Sequence, residues 1–310
     1  MTTATAPIDV RDLYQCPGCG GSLKSHDEQK TACVICGYPI RIRPDGVWHV
    51  GHLAFDDHWA ATPEKRAHFE KVHMPREEHH NTRFTRDFTI PLLRRLFGER
   101  RDVRILSCGC GLGYDVDLLN SEGYEVWGND LGNRADYWKT RSSAGRFVQC
   151  AAEELPFPDS YFDLIQSHLV LEHVGVVGDT LITKPDYWEI RKKFLHSMIR
   201  KVKKGGYVNV STPNRTFPID PGHAEGTKLG MRIHGPFDRF LTSYGDMRAY
   251  CPGHQIIPVS PKGYYAGACV GRIGGAKDLF AAYLNALDKL PFLQGTFLNP
   301  LMNCLIRRQT

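Results

Sequence analysis

The chain has 310 residues, 42% of them hydrophobic and 24% charged, enough apolar material for one large core and a small extra module. Its net charge of +5 is spread along the whole length and does not by itself mark a nucleic-acid binder. The apolar runs fall short of the ~18 residues a membrane span needs, residues 1–12 carry no signal-peptide core, and ten cysteines are too few for a disulfide scaffold, which together point to the cytoplasm.

Residues 1–12 are small and polar and read as a lead-in. Cys16-Pro17-Gly18-Cys19-Gly20 and Cys33-Val34-Ile35-Cys36-Gly37 follow, two C-x-x-C pairs separated by thirteen residues. The glycine after each pair lets backbone N–H groups turn toward the sulfurs. Four thiolates at this spacing suit a tetrahedral zinc ion held by Cys16, Cys19, Cys33 and Cys36. A redox dithiol needs only one pair and thioredoxin-like surroundings, which the flanking residues lack. A piece of ~40 residues has little core, so the metal supplies stability on the order of 10 kcal/mol. Ile40, Ile42, Val47 and Trp48, with Asp45-Gly46 as the turn, predict closing strands. Residues 1–50 are therefore read as a zinc ribbon.

Residues 51–98 change character. Phe55, Trp59, Phe69, Phe84, Phe88, Leu92, Leu93 and Leu96 recur at roughly helical spacing, predicting two or three connecting helices. His58, His68, His73, His79 and His80 are dense here. Glu77-Glu78-His79-His80 invites a metal site, but a solvated helix face is the simpler account. A third reading is a lid that brings His79, His80 or Arg83 to a substrate.

Strand–helix alternation begins at residue 103. Strands are predicted at Val103–Cys108, Glu125–Asn129, Arg146–Cys150, Tyr161–Ser167, Tyr207–Thr212 and Gln255–Val259. A terminal strand at Leu301–Ile306 would form the antiparallel edge. Helices are predicted from Tyr114 to Ser121, from Tyr187 to a stop at Lys204-Gly205-Gly206, after a cap at Thr242 or Ser243, and from Ala276 to Lys289. Phe280, Leu284, Leu287, Leu290 and Phe292 are assigned to core packing in preference to a lid or dimer surface. The pattern predicts an α/β fold with a doubly wound, mostly parallel sheet. Within it, Gly109, Gly111 and Gly113 let a backbone turn sharply and approach a ligand, and the following helix aims free N–H groups at the same place. Asp130 stands 21 residues after Gly109, where a βαβ unit sets an acid beside a ribose.

Ile105–Gly113, Asp130, Ala152–Phe157, Phe162–Ser167, Leu171–Val174 and Lys204–Gly206 fall in one order over residues 100–212. In these elements the chain resembles class I S-adenosylmethionine-dependent methyltransferases of the ubiquinone/menaquinone-biosynthesis-like type. The block Ala152-Glu153-Glu154-Leu155-Pro156-Phe157, followed by Phe162-Asp163, separates this reading from a dehydrogenase. The resemblance implies a Rossmann-like sheet with helices on both faces, filling residues 99–310. It implies S-adenosylmethionine held by Ser107, Gly109, Gly111, Gly113, Asp130, Leu131, Ala152, Glu153 and Ser167. The N-terminal module is similar to the zinc ribbon fused to the front of many bacterial methyltransferases. Two positions depart from the pattern: the family usually has an acid where Ser107 stands, and often one where Ala151 stands. Ser107 can still accept a hydrogen bond, and a backbone group near Ala152 can still meet adenine.

Methyl transfer from a sulfonium is an in-line displacement, so the chain must align the acceptor and, for a hydroxyl or protonated amine, take a proton. His168 and His173 follow the fourth strand at the carboxyl edge, where ligands bind in such sheets, and are the candidate catalytic residues, with His173 favoured. The Pro/Gly-rich loop 213–242 is expected to lie over the acceptor, with Asn214, Arg215, Asp220 and His223 as candidate contacts. Thr212–Ile219 and Leu290–Pro300 are loosely similar to methyltransferases of bacterial glycan, glycolipid and secondary-metabolite clusters, which implies a small-molecule or glycoconjugate acceptor. One rival is an RNA base methyltransferase using the ribbon to bind RNA. Against it, Lys24, Lys30, Arg41 and Arg43 are offset by Asp27, Glu28 and Asp45. The other rival is a non-catalytic binding partner, supported by Ser107 and Ala151.

Overall fold

The computed structural model describes residues 10–52, 57–178, 180–220, 223, 232–264 and 277–309. Its strands are β1 (Ile40–Ile42), β2 (Trp48–Val50), β3 (Arg104–Cys108), β4 (Glu125–Asp130), β5 (Phe147–Gln149), β6 (Phe162–His168), β7 (Val202–Pro213), β8 (Ile219–Asp220), β9 (Arg232–Ile233), β10 (Gln255–Pro258) and β11 (Leu301–Arg307). Nine of them form one sheet in the order β1-β2-β5-β4-β3-β6-β7-β11-β10, and β8 and β9 make a separate ribbon. The run from β2 to β7 is parallel. The helices are α1 (Val10–Leu13), α2 (Pro63–His68), α3 (Met74–Phe84), α4 (Ile90–Phe97), α5 (Tyr114–Ser121), α6 (Tyr187–Lys201), α7 (Tyr244–Tyr250) and α8 (Lys277–Lys289).

Successive side chains of a strand point to opposite faces, and both faces here are covered. Leu106 and Ile165 pack with Phe194, Leu195 and Met198 of α6 and Tyr244 and Met247 of α7. Ile105 and Leu164 pack with Leu92 and Leu93 of α4, Val116 and Leu119 of α5, and Leu284 and Leu287 of α8. The result is the expected α/β fold, a Rossmann-like three-layer sandwich. Strand order reverses at β3, between β4 and β6, so a crevice opens at the carboxyl ends of these strands. No helix among the described residues is long and apolar enough to cross a membrane.

Four features differ from the linear reading. First, the β1–β2 hairpin that closes the cysteine module is also part of the main sheet: Trp48 and His49 of β2 pair in parallel with Val148 and Gln149 of β5. Tyr14 packs edge-on against Trp48 and Phe157, each at 5.3 Å, and the Tyr38 hydroxyl donates to Glu154 Oε1 at 2.7 Å. Second, Lys204-Gly205-Gly206 does not stop a helix. The chain is already extended from Val202, which pairs with Phe162, and α6 ends at Lys201. Third, β11 is not the edge strand. It lies antiparallel between β7 and β10, and β10 takes the edge.

Fourth, the connector is not two or three separate helices. Helical turns run without a break from Pro63 to Phe97, with π turns at Phe69–His73 and Thr85–Thr89. Met74 N–H reaches back to Phe69 O, and Ile90 N–H to Thr85 O. The residues that follow are Pro75 and Pro91. Proline lacks the N–H that would bond four residues back, and its ring collides with that carbonyl. One extra residue in the preceding turn makes room for the ring. Two residues that would end an ordinary helix are thereby carried through it.

Candidate cofactor and acceptor site

The carboxyl ends of β3, β4 and β6 form the floor of a cavity of about 880 Å³, within the ~300–1,000 Å³ of small-molecule sites. Its first wall is the glycine loop. Gly109 and Gly111 have φ of +77° and +56°, and a Cβ would lie 2.4 Å from Val170 and 2.5 Å from Glu77 respectively. Conformation favours glycine at both positions, and at Gly109 the branched Val170 side chain also leaves no room for a Cβ. Backbone N–H groups of Gly109 and Cys110 bond to Asn129 O, and Trp138 Nε1 donates to Gly111 O at 2.8 Å. Asp130 closes the loop from β4: its Oδ2 accepts from Gly111 N at 2.9 Å, and its Oδ1 from Leu131 N at 2.7 Å and Gly132 N at 3.1 Å.

Ser107 is compensated from the next helix. Its hydroxyl donates to Asp115 Oδ2 at 2.5 Å, and Gln166 Nε2 donates to the same oxygen at 3.0 Å. Asp115 sits in the first turn of α5, so its carboxylate reaches under the loop that lacks an acid of its own. Burial pushes its carboxyl above the usual carboxylate range. The other oxygen, Oδ1, is buried without a hydrogen-bond partner, and the residue lines the cavity.

The long helical connector roofs the side of this crevice that holds the glycine loop. Glu77 Oε1 accepts from Leu112 N at 3.1 Å, and its Oε2 meets Arg134 at 3.4 Å. Asp57 accepts from Asn133 N at 2.9 Å and also pairs with Arg134. His80, Asn81 and Phe84 line the cavity one turn further along α3. His80 faces inward and burial lowers its pKa, whereas His79 is exposed and Arg83 pairs with Asp87 at 3.8 Å. The histidine-dense stretch thus places one imidazole at the cavity.

The far wall is aromatic. His168 stands against Phe84 and Tyr264, with ring centroids at 4.7 and 6.2 Å. Its Nδ1 meets Ser211 Oγ at 2.7 Å, and that hydroxyl meets Tyr264 Oη at 2.8 Å. Nε2 is buried and unpartnered. Burial lowers the His168 pKa to about 3, so the ring stays neutral. From pH ~6.5 down to the folded value, the unfolded chain binds a proton that the native chain refuses, and stability falls by ~1.4 kcal/mol per unit as pH falls. Between pH 6.5 and about 5, His168→Gln should lose about 2 kcal/mol less than the wild type. Urea unfolding at the two pH values measures this, and equal losses would show that His168 is not buried neutral.

Of the residues implied for the cofactor, Ser107, Gly109, Gly111, Asp130, Leu131, Ala152 and Glu153 all line the cavity, as do both candidate catalytic residues, His168 and His173. Gly113 lies behind the loop as the cap residue of α5. Ser167 is not a lining residue: the two-residue period of β6 sends it to the face opposite Gln166 and His168, where its hydroxyl is buried. Asn214 and Arg215 are structural in placement. Asn214 Nδ2 donates to Thr296 O and Asn299 O at 3.1 and 2.8 Å, and Arg215 pairs with Asp246 at 2.9 Å. Asp220 and His223 hydrogen-bond to each other at 2.9 Å, and His223 reaches His173. Asp57, Asp115, Gln166 and Tyr264 escape a linear reading. The one available signal was an acid at the second position of the helix leaving the glycine loop.

The four cysteines converge. Their sulfurs lie within 4.8 Å of one another, with Cys16–Cys36 at 3.6 Å and Cys19–Cys33 at 3.8 Å. A tetrahedron with ~2.3 Å metal–sulfur bonds has edges of about 3.8 Å. Backbone N–H groups of Gly18 and Cys19 point at Cys16, and those of Ile35 and Cys36 at Cys33. The described cysteines are all unbridged thiols.

Residues 106–210 match the family profile described as a methyltransferase domain. A probable S-adenosylmethionine-dependent methyltransferase of Mycobacterium tuberculosis is 30% identical over 127 residues, 38% of this chain and 41% of that protein. A ubiquinone/menaquinone biosynthesis C-methyltransferase of Azotobacter vinelandii is 35% identical over 135 residues, 40% of this chain and 46% of that protein. A malonyl-[acyl-carrier protein] O-methyltransferase of Pseudescherichia vulneris is 29% identical over 151 residues, 48% of this chain and 53% of that protein. The chain thus spans about half the length, or less, of the relatives it matches. Two of these relatives act on different acceptor atoms, carbon in one and oxygen in the other.

Proposed function

We propose that the chain transfers a methyl group from S-adenosylmethionine to a small-molecule or glycoconjugate acceptor, on oxygen or nitrogen. One observation carries this reading: a single ligand-sized cavity joins the Gly109–Gly111 loop and Asp130 at one end to the unpaired Asp115 Oδ1 below the loop. The cofactor, when bound, supplies an electrophilic methyl group and a thioether leaving group. Asp130 would take ribose hydroxyls, Ala152 and Glu153 would border the adenine, and Asp115 would face the methionine ammonium in place of the acid missing at Ser107. Neutral His168 offers Nε2 as a hydrogen-bond partner, acceptor or donor according to which way the Nδ1–Ser211 bond runs. Protonating it at neutral pH costs on the order of 5 kcal/mol, so it orients an acceptor in preference to removing its proton. His173, exposed at the rim and lining the cavity, is the better placed of the two to meet an acceptor hydroxyl.

Calorimetric titration with S-adenosylmethionine tests the reading. Saturable binding is expected at micromolar cofactor, and no heat at high micromolar concentration would favour the non-catalytic alternative. Asp115→Asn should weaken binding by about 10- to 100-fold, the worth of ~1.5–3 kcal/mol for a charged hydrogen bond. Unchanged affinity would remove Asp115 from the ammonium site.

Cys16, Cys19, Cys33 and Cys36 are read as a structural zinc site, supported by the fit of their sulfur spacing to a tetrahedron. Free thiols at Cys108, Cys110 and Cys150 suit a reducing compartment such as the cytoplasm.

A further inference from the structure

We propose a second metal site, formed by Glu172, His173 and His223 at the rim of the cavity, for a divalent transition ion of the zinc type. The ligand atoms of these residues lie within 4.8 Å of one another. The two Nε2 atoms are 3.3 Å apart, and tetrahedral zinc with ~2.05 Å nitrogen bonds has ligand–ligand edges of about 3.3 Å. Asp220 Oδ2 accepts from His223 Nδ1 at 2.9 Å. That bond places the proton on Nδ1 and leaves the Nε2 lone pair facing the cluster, the arrangement a carboxylate imposes on a metal-binding histidine. Asp220 is itself fixed by Arg232 at 3.1 Å.

Glu172 is the independent observation. The residue is fully buried, and neither carboxylate oxygen has a hydrogen-bond partner. A buried carboxylate without partners is costly, and a bound cation removes that cost. The scaffold is fixed by Arg191, whose buried guanidinium donates to Glu172 O at 3.0 Å, Val174 O at 3.0 Å and Phe240 O at 2.8 Å. It thereby holds the 172–174 segment against Phe240, whose ring flanks both imidazoles. Two imidazoles and one carboxylate are a borderline-soft set that selects zinc-like ions over magnesium or calcium. Three protein ligands leave a fourth position open, as in catalytic zinc sites.

His173 lines the cavity, so the open position faces the acceptor space. The site stands on its own geometry, whereas its role rests on the methyl transfer proposed above. In that role the ion holds a hydroxyl oxygen of the acceptor and lowers its pKa. The proton leaves to solvent, the oxygen bonds to the methyl carbon, and the methyl–sulfur bond breaks with its electron pair on sulfur. The acceptor class is therefore an alcohol, phenol or carboxylic acid.

The test is metal analysis of the full-length chain equilibrated with micromolar free Zn²⁺ and then desalted. The wild type should retain two zinc ions per chain, one at the cysteines and one here. His223→Ala, His173→Gln and Glu172→Gln should each retain one, with unchanged circular dichroism. A wild type with one zinc, or a folded His223→Ala variant with two, would overturn the site and leave a hydrogen-bonded imidazole pair. If Glu172→Gln does not fold, the two histidine variants decide. Calorimetry with S-adenosylmethionine on the same samples separates the two proposals. Two zinc ions without cofactor binding would keep the site and remove its role in methyl transfer.

Discussion

Replacing Asp130 with alanine lowers S-adenosylmethionine affinity by at least about a hundredfold, or ~2.7 kcal/mol. Two effects combine. The ribose loses its carboxylate, a charged hydrogen bond worth ~1.5–3 kcal/mol. The loop also loses its internal acceptor: Gly111, Leu131 and Gly132 all donate to Asp130, and a donor left unpaired costs ~1–3 kcal/mol unless water reaches it. Gly111 is already in a left-handed conformation, and without Asp130 its backbone keeps the bond from Trp138 Nε1 to its carbonyl. Asp130→Asn keeps Oδ1 for Leu131 and Gly132 but turns an amide toward Gly111, and should fall between the two. Calorimetry of wild type and both variants measures the series. An alanine variant within threefold of wild type would remove Asp130 from the cofactor site.

Stripping the zinc proposed at the four cysteines should damage the cofactor site as well as the module. Zinc contributes ~10–16 kcal/mol to such small sites, comparable with the whole stability of a typical domain, ~5–15 kcal/mol, so residues 14–50 should unfold without it. Those residues brace the stretch that ends in Ala152 and Glu153. β2 pairs with β5, Gln15 N donates to Pro156 O, and Tyr38 holds Glu154. The chelated protein should exchange its amide hydrogens faster at 147–157 as well as at 40–50, keep its protection in β3, β6 and β7, and bind S-adenosylmethionine about tenfold more weakly, ~1.4 kcal/mol. Unchanged protection at 147–157 after the module opens would show that the brace carries no load.

The donor half of the site was legible because its signals are local. Glycine spacing, a strand on each side and an acid at a fixed distance lie within one βαβ unit, and the structure sets Gly109, Gly111 and Asp130 together. Asp115 was not legible, because its meaning depends on Gln166, which reaches it only through the pairing of β3 with β6. Glu77 and Asp57 meet the loop across the sandwich and carry no sequence mark of doing so. Pro75 and Pro91 read as helix breaks, and the π turns that absorb them depend on an extra residue that periodicity does not register. Asn214 and Arg215 looked like ligand contacts because polar residues in a Pro/Gly-rich loop suit that role. Their partners, Thr296, Asn299 and Asp246, lie far along the chain.

The placement of β11 has a consequence for how the chain reaches this state. It is the last of the described strands, about ninety residues after β7, yet it lies between β7 and β10 and pairs along its whole length with β7. While the polypeptide emerges from the ribosome, β7 has no partner on that side until β11 has been made. An unpaired edge of apolar strand is a template for association with other chains. At the other end, β2 waits for β5, about a hundred residues later, and such distant pairings slow folding. Newly made protein should therefore depend on chaperones until β11 has emerged. Fusions or truncations that withhold β11 should yield aggregates in place of a smaller folded enzyme, a point that bears on expression as much as on folding.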